Sequence, residues 1–141
     1  MIWLTLKIKI FFWLALLNRL QTRDNLFKKG WIADRACAIC HNAMETTVHL
    51  LTACPLAYNI WDGLTQPGIT IAMKDDLGIF WLHNRQSLQM AYNGNWDSAW
   101  MAGMRNIWKA RCRLIFEGTT INDNDIIRKT MQDASAWIAI C

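Results

Sequence analysis

The chain has 141 residues, of which 53% are hydrophobic and 18% are charged. This length supplies one modest core, which predicts one domain or a small module with a helical extension. The formal net charge of +4 is uneven, because residues 1–61 carry seven basic and three acidic residues and the remainder carries eight of each. We therefore expect an anionic partner to bind the first part of the chain.

The chain opens with an apolar stretch. Residues 10–17 are eight consecutive apolar residues, far fewer than the roughly twenty needed to span a bilayer. The bulky and polar residues 18–21 that follow do not form the small-residue cleavage site of a signal peptide. We therefore predict a helix buried on most sides, with no membrane segment, in an intracellular protein of either nucleus or cytoplasm.

A short basic helix is predicted next. Thr22 is a suitable N-cap, residues 23–29 form the helix, and Gly30 suits the C′ position that ends it. Residues 31–35 then lead into the most specific motif of the sequence.

This motif is a C-x2-C-x8-H-x4-C array formed by four residues, Cys37, Cys40, His49 and Cys54. Thiolates and an imidazole at such spacings can bind one tetrahedral zinc ion. Four protein ligands leave no open coordination position, which is typical of a structural site. We therefore predict one structural Zn2+ at these residues.

The backbone around the array can be predicted from Pro55. His49 and Cys54 are five residues apart, so on one continuous α-helix they would point about 140° away from each other. Proline disfavours the α conformation of the residue before it, which predicts a helix break near Ala53. A new helix is expected over residues 55–64, with proline in its first turn and Cys54 at the break.

Other interpretations of these cysteines stay open. The thiols could be small buried hydrophobic groups. Residues 37–41 read C-x-x-C-H, the pattern of covalent haem attachment, but this would leave His49 and Cys54 unused and would require export. A thioredoxin-like redox pair would need a surrounding βαβ pattern. We expect His41 to be no ligand, and Cys112 and Cys141 to be isolated core or surface thiols.

The rest of the chain is predicted to be helical. The Gln-Pro-Gly turn at residues 66–68 is the predicted boundary between a domain at 1–66 and an extension at 67–141. Residues 69–71 alternate like a very short strand. Helical periods follow over residues 77–88, 97–116 and from about residue 122 or 123 to the end, with a loop at 92–95. The fold class is therefore mainly α: a small CCHC zinc-binding module flanked by short helices, with a helical C-terminal extension.

The sequence also resembles a known family over residues 2–64. The resemblance is carried by residues 9–20, 22–26, 30–31, the array with residues 45–51 and 54–55, and the closing Ile60–Trp61. These segments resemble the zinc-binding reverse transcriptase domain of plants, which lies downstream of the polymerase in non-LTR (LINE-type) retroelement polyproteins. More loosely, residues 107–118 and 126–137 are similar to helices that precede and lead into a ribonuclease-H-like domain.

The resemblance implies a retrotransposon-type zinc-binding module. It implies a piece of a polyprotein, whether detached, degenerate or domesticated, whose partners would be reverse transcriptase and ribonuclease-H-like domains. The chain departs from the family at Gln21, where proline is usual, and at Cys112, where asparagine is frequent. Neither departure removes a zinc ligand.

Catalysis has little support in the sequence. Asp75 and Asp76 are paired like polymerase aspartates, but Met73 and Lys74 precede them instead of the aromatic residue of that motif. Acidic residues at the positive end of a helix dipole explain the pair more simply. The sequence also offers no convincing set of carboxylates for Mg2+. We predict that the chain is not an enzyme, although its parent polyprotein would be a reverse transcriptase.

Two functions from different classes remain. In the first, the module assists RNA or DNA template binding, with phosphate contacts from basic residues and stacking by Trp31; the basic residues are Arg19, Arg23, Lys28, Lys29 and Arg35. In the second, it is a non-catalytic interaction or scaffold piece whose tryptophans, nine in the chain, dock on polymerase or nuclease domains.

Overall fold

The structure is a computed structural model that describes residues 2–87 and 96–140. The predicted loop at 92–95, together with Leu88 and Cys141, lies outside these residues. The elements in chain order are α1 (Ile2–Leu16), α2 (Arg23–Lys28), a π-helical turn (His49–Ala53), α3 (Pro55–Leu64), α4 (Leu77–Ser87), α5 (Trp96–Glu117) and α6 (Asp123–Ile140). The predicted mainly α fold class, with a metal-ligand cluster flanked by helices, is confirmed.

Local signals set several helix ends. The Thr22 side chain accepts a hydrogen bond from the backbone N–H of Asn25 at the start of α2, as predicted for an N-cap. Gly30 follows α2 with φ of +76° and Gly118 follows α5 with φ of +67°, the left-handed conformation that ends helices. The predicted bounds of α3 are also confirmed, because Pro55 occupies its first turn and Leu64 its last.

The strand-like alternation at residues 69–71 does not correspond to a strand. The described residues contain no strand; the bridges are isolated, such as the antiparallel bridge between Ala36 and Met44. The next residue, Ala72, is bonded by a side chain: the Asn84 amide accepts from the backbone N–H of Ala72 at 3.0 Å and donates to its carbonyl at 3.0 Å. One amide on α4 therefore satisfies the backbone groups that a neighbouring strand would satisfy in a sheet.

An aromatic cluster forms the centre of the core. Trp61 from α3 lies with ring centroids 5.0 Å from Trp100 and 5.9 Å from Trp96, both on α5, and 6.4 Å from Phe80 on α4. The buried Trp61 Nε1 donates to the carbonyl of Leu51 at 2.7 Å. The segment that carries the metal-ligand array therefore shares its core with the C-terminal helices. The predicted division into residues 1–66 and 67–141 stays a prediction.

Helix α1 differs from its prediction as a helix buried on most sides. Ile8, Phe11 and Ala15 are buried, and the rings of Phe11 and Trp108 lie 6.4 Å apart. A second stripe of α1 is apolar but exposed, and it consists of Leu6, Ile10, Trp13 and the adjoining Leu17. Within residues 2–87 and 96–140, no helix is both long and apolar enough to cross a lipid bilayer.

Candidate metal centre

A tight loop presents the first two cysteines. It is closed by the bridge between Ala36 and Met44, and the backbone N–H of Cys37 donates to the carbonyl of Ala43 at 2.7 Å. His41 adopts a left-handed φ of +60°, and its backbone N–H donates to the carbonyl of Cys37 at 3.0 Å. Its side chain is exposed. His41 thus contributes a turn conformation that histidine tolerates better than most residues.

A π-helical turn presents the other two ligands. Its residues, His49–Ala53, end at Cys54, whose backbone N–H donates to the carbonyl of His49 at 2.7 Å. This i to i+5 bond winds the chain more widely than an α-helix, so two residues five apart return to the same side. Cys54 then has φ of −56° and ψ of 138° and is the N-cap of α3. The predicted break before Pro55 is confirmed, and the π-turn explains how both side chains reach one site.

The structure brings all four predicted ligands together. The candidate ligand atoms of Cys37, Cys40, His49 and Cys54 lie within 4.8 Å of one another, and Cys40 Sγ is 3.3 Å from His49 Nε2. Zinc bonded at about 2.3 Å to each sulfur would place tetrahedral sulfur atoms about 3.8 Å apart. A small contraction would therefore let the cluster hold a zinc ion. Cys37 and Cys54 are fully buried, whereas the other two are half-buried.

Hydrogen bonding sets the protonation of the buried thiols. The Cys54 thiol donates to Cys37 and lowers the pKa of Cys37 to about 5 against the effect of burial, and the backbone N–H groups of Cys40 and Ile39 lower it further. The same thiol pairing, together with burial, raises the pKa of Cys54. The cluster thus offers one ready thiolate to a cation. A divalent cation bound among these atoms would favour the thiolate of Cys54 as well, with release of its proton.

Glu45 supports the metal-binding loop from the protein interior. Its carboxylate is fully buried and accepts from the backbone N–H of Ala38 at 2.8 Å and of Arg23 at 3.0 Å. Arg111 on α5 donates to it from Nε at 3.1 Å and from Nη2 at 2.6 Å. Ala38 lies between the two loop cysteines, so this ion pair connects the C-terminal helices to the backbone of the candidate site.

The sequence does not predict this ion pair. One signal was available for Arg111, which falls on the same helical stripe as the buried Met104 and Ile107. A charged residue on an apolar stripe requires a buried partner. The identity of that partner depends on a contact across 66 positions, which no local pattern encodes.

The arrangement favours zinc over the alternatives for the same cysteines. A haem attachment at residues 37–41 would use His41, which points to solvent, and would leave His49 unused beside Cys40. Cys112 is half-buried on α5 and is not a member of the ligand cluster. Cys141 lies outside the described residues.

Three of the predicted nucleic-acid contacts are held in ion pairs within the protein. Arg35 donates to Asp24 at 2.7 Å, Lys28 lies 3.1 Å from the same carboxylate, and Arg23 lies 3.4 Å from Asp34. Burial alone would raise the pKa of Asp24, but the hydrogen bonds from Arg35 and Lys28 outweigh it and lower that pKa. The positive charges of these three side chains are therefore partly neutralised by carboxylates of the protein itself.

The other predicted contacts are more accessible. Arg19 is exposed and lines a cleft of about 480 Å³ together with Lys28 and Lys29. The Lys29 ammonium lies 5.0 Å from the ring centroid of Trp31, and Trp31 is 66% exposed. The fold thus places a flat aromatic ring beside a basic cleft, an arrangement suited to a strand whose bases stack and whose phosphates meet cations.

The fold and the ligand cluster together define the class of protein. It is a mainly helical protein whose Cys3His cluster can hold a metal ion. Residues 1–61 match the family described as zinc-binding in reverse transcriptase. This match supports a zinc-binding domain of the reverse transcriptase type in that segment, and it ends at Trp61, the centre of the aromatic core. The comparisons found no matching curated protein and no matching solved structure.

Proposed function

We propose that the protein is a structural zinc-binding module of a retrotransposon-type, LINE-type reverse transcriptase polyprotein, and that it assists binding of RNA or DNA template. The observation that carries the zinc proposal is the convergence of three thiols and one imidazole within 4.8 Å, inside the segment that matches the reverse transcriptase family. The resemblance of residues 2–64 to the plant members supports the same origin.

The proposed role of the metal is structural. The four protein ligands fill a tetrahedral shell, so zinc would have no position left for water or substrate. Zinc would join the loop at residues 36–44 to the π-helical turn and to Cys54 at the start of α3. Proposed neighbours of the module are the polymerase and ribonuclease-H-like domains of the same polyprotein, and the chain itself is proposed to be non-catalytic.

Metal analysis tests the zinc proposal. We expect the purified chain to contain one zinc per molecule, and His49→Ala to lose most of it. Cys112→Ser is the matched control, because Cys112 lies outside the cluster, and it should retain full zinc. A folded wild-type chain without zinc, or one with the absorption bands of haem, would contradict the proposal.

The template-binding proposal rests on the exposed Trp31 beside Lys29 and on Arg19 in the adjoining cleft. Arg19→Ala/Lys29→Ala should weaken binding of single-stranded RNA about equally for all sequences, and should reduce the salt dependence, since each lost phosphate contact lowers the slope by about 0.7 on a single strand. Lys9→Ala/Lys74→Ala removes the same charge elsewhere and should have little effect. Equal losses of RNA affinity in the two double variants would show that binding depends only on the net charge of the protein. That result would contradict a specific binding surface.

A second candidate function is docking on a protein partner. It is favoured by the exposed apolar stripe of α1, where Leu6, Ile10, Trp13 and Leu17 follow the alternating spacing of four and three residues seen in helix-packing seams. Trp13→Ser should then disrupt assembly with the polymerase domain and leave zinc content and RNA binding intact. If the variant assembles normally, this candidate is wrong.

A further inference from the structure

The fold forms a second basic cleft in the half of the chain that is neutral by composition. This cleft has a volume of about 390 Å³ and lies between the last turns of α5, the connecting segment 119–122 and the first turns of α6. Four cationic side chains line it, compared with one carboxylate, that of Asp125; the cations are Lys109, Arg113, Arg128 and Lys129. Residues 62–141 balance eight basic and eight acidic residues overall, so folding has separated the charges.

The four cations differ in how far they are neutralised. Arg128 lies 2.9 Å from Asp125 and Lys129 lies 3.1 Å from Asp133. Lys109 and Arg113 have no ion-pair partner within residues 2–87 and 96–140. Burial lowers the pKa of Lys109, and the neighbouring Arg105 lowers it further, against the opposing effect of Asp133. An anion placed between these cations would relieve that repulsion.

The remaining groups of the lining suit a sugar-phosphate backbone. Thr119 and Thr120 add two hydroxyl groups, and Ala110 and Ile126 add small apolar contacts. None of the described residues that line the cleft is aromatic, so the surface has nothing on which a base could stack. The rim cations are exposed, so a strand can pass across the cleft with its bases turned outward. The volume matches the lower range of small-ligand pockets, about 300–1,000 Å³, and one nucleotide unit is of this size.

We infer that the cleft between α5 and α6 is a phosphate-binding site for an RNA or DNA strand, with Lys109 and Arg113 as its principal contacts. This inference rests on the proposed template-binding function and adds a second contact surface to it. The recognition is sequence-independent, because charge and hydroxyl groups meet phosphate and sugar while no group reads a base edge. Two contact surfaces for one strand strengthen binding beyond either site alone when the strand reaches both at once.

Fluorescence anisotropy of the full zinc-loaded chain with a labelled 20-nucleotide single strand tests the inference. We expect Lys109→Ala/Arg113→Ala to weaken binding about tenfold at low salt and to lower the slope of log affinity against log salt by about 1.4, or about 0.7 per lost contact. Lys9→Ala/Lys74→Ala removes equal charge outside both clefts and should retain the wild-type slope. If the two double variants behave alike, the inference is overturned.

Comparison with Arg19→Ala/Lys29→Ala separates this inference from the proposed function. One outcome is that Arg19→Ala/Lys29→Ala loses oligonucleotide binding while Lys109→Ala/Arg113→Ala binds fully. This outcome would overturn the second site but would still support template binding. No salt-sensitive binding by the wild-type chain would overturn both. Competition by a nucleoside monophosphate as strong as that by the oligonucleotide would show a small-phosphate site and overturn the strand assignment.

A chemical footprint covers the case in which the double variant is poorly folded. Acetylation of the wild-type chain, read by mass spectrometry, should be slowed severalfold at Lys109 when the oligonucleotide is added. Lys74 is the internal control and should react equally with and without the strand. Equal protection at both lysines, or none at Lys109, would overturn the assignment.

Discussion

At the residue scale, breaking the buried ion pair between Glu45 and Arg111 is predicted to lower the free energy of unfolding strongly. Arg111→Met would leave the Glu45 carboxylate buried with two backbone donors but no countercharge. Removal of one partner from a buried ion pair costs on the order of 3–5 kcal/mol. We expect the free energy of unfolding, measured with urea on the zinc-loaded chain, to fall by about this amount.

A double-mutant cycle separates the ion pair from the loss of packing. Glu45→Gln/Arg111→Met removes both charges, so its cost should be smaller than the sum of the two single costs by at least about 1 kcal/mol. The same double variant also tests whether Glu45 supports the metal-binding loop. Glu45 accepts a hydrogen bond from the backbone N–H of Ala38, which lies between the two loop cysteines. Additive costs would show that the two side chains are not coupled.

Two glycines offer a matched pair of substitutions. A Cβ at Gly103 would lie 2.5 Å from the Trp61 ring, and a Cβ at Gly63 would lie 2.5 Å from Cδ1 of Ile127. The Trp61 ring is fixed among Trp96, Trp100 and Phe80, whereas the end of an isoleucine side chain can rotate away.

Gly103→Ala is therefore expected to be destabilising by about 1–3 kcal/mol through overpacking. Gly63→Ala should be close to neutral or slightly stabilising, because alanine is favoured over glycine in a helix by up to about 1 kcal/mol. Thermal unfolding of the two variants gives the comparison. Equal unfolding temperatures for the two variants would mean that the aromatic cluster rearranges around the new methyl group as easily as a single aliphatic side chain does.

At the element scale, the metal joins segments that have little regular structure of their own. Between the end of α2 and the start of α3, the described backbone contains one isolated bridge and one π-helical turn. Structural zinc contributes on the order of 10 kcal/mol to the folding of small zinc peptides. The helices α5 and α6, by contrast, make the most extensive contact between any two of the described elements.

Removal of zinc by a chelator should therefore have a local effect first. We expect amide hydrogen exchange to rise strongly over residues 37–54 while the central amides of α5 remain protected. Much of the helical circular dichroism should persist for the same reason. Loss of protection in α5 at the same chelator concentration would show instead that the metal and the aromatic core unfold as one unit.

At the scale of the whole molecule, the zinc-binding segment and the C-terminal helices depend on each other. Trp61 contacts Trp96 and Trp100, and Glu45 pairs with Arg111. A chain of residues 1–66 would expose the Trp61 ring and lose the countercharge of Glu45. We expect this truncated chain to bind zinc more weakly than the full chain and to unfold without a sharp transition. A cooperative transition at the full-length midpoint would establish residues 1–66 as an independent domain.

The sequence by itself determined the features that depend on neighbours along the chain. The four ligands, the helix break before Pro55, the Thr22 cap and the glycine helix ends all follow from the local conformational preferences and ligand spacings of a few residues. The strand-like alternation at residues 69–71 shows the limit of such local patterns, because these residues form no strand. Alternation is compatible with a strand, but a strand needs a pairing partner from elsewhere in the fold, and the backbone of the next residue, Ala72, bonds to the side chain of Asn84 instead.

Only the tertiary structure decided which distant groups meet. Residue type alone gave no sign that Arg35, from the loop after α2, reaches the carboxylate of Asp24, or that Lys109 and Arg113 line a cleft with cations of α6. The summed charge of a segment is fixed by composition, but the electrostatic potential at its surface depends on where folding places each charge. For this reason a half with no net charge can carry a basic cleft, while part of the basic half is neutralised from within.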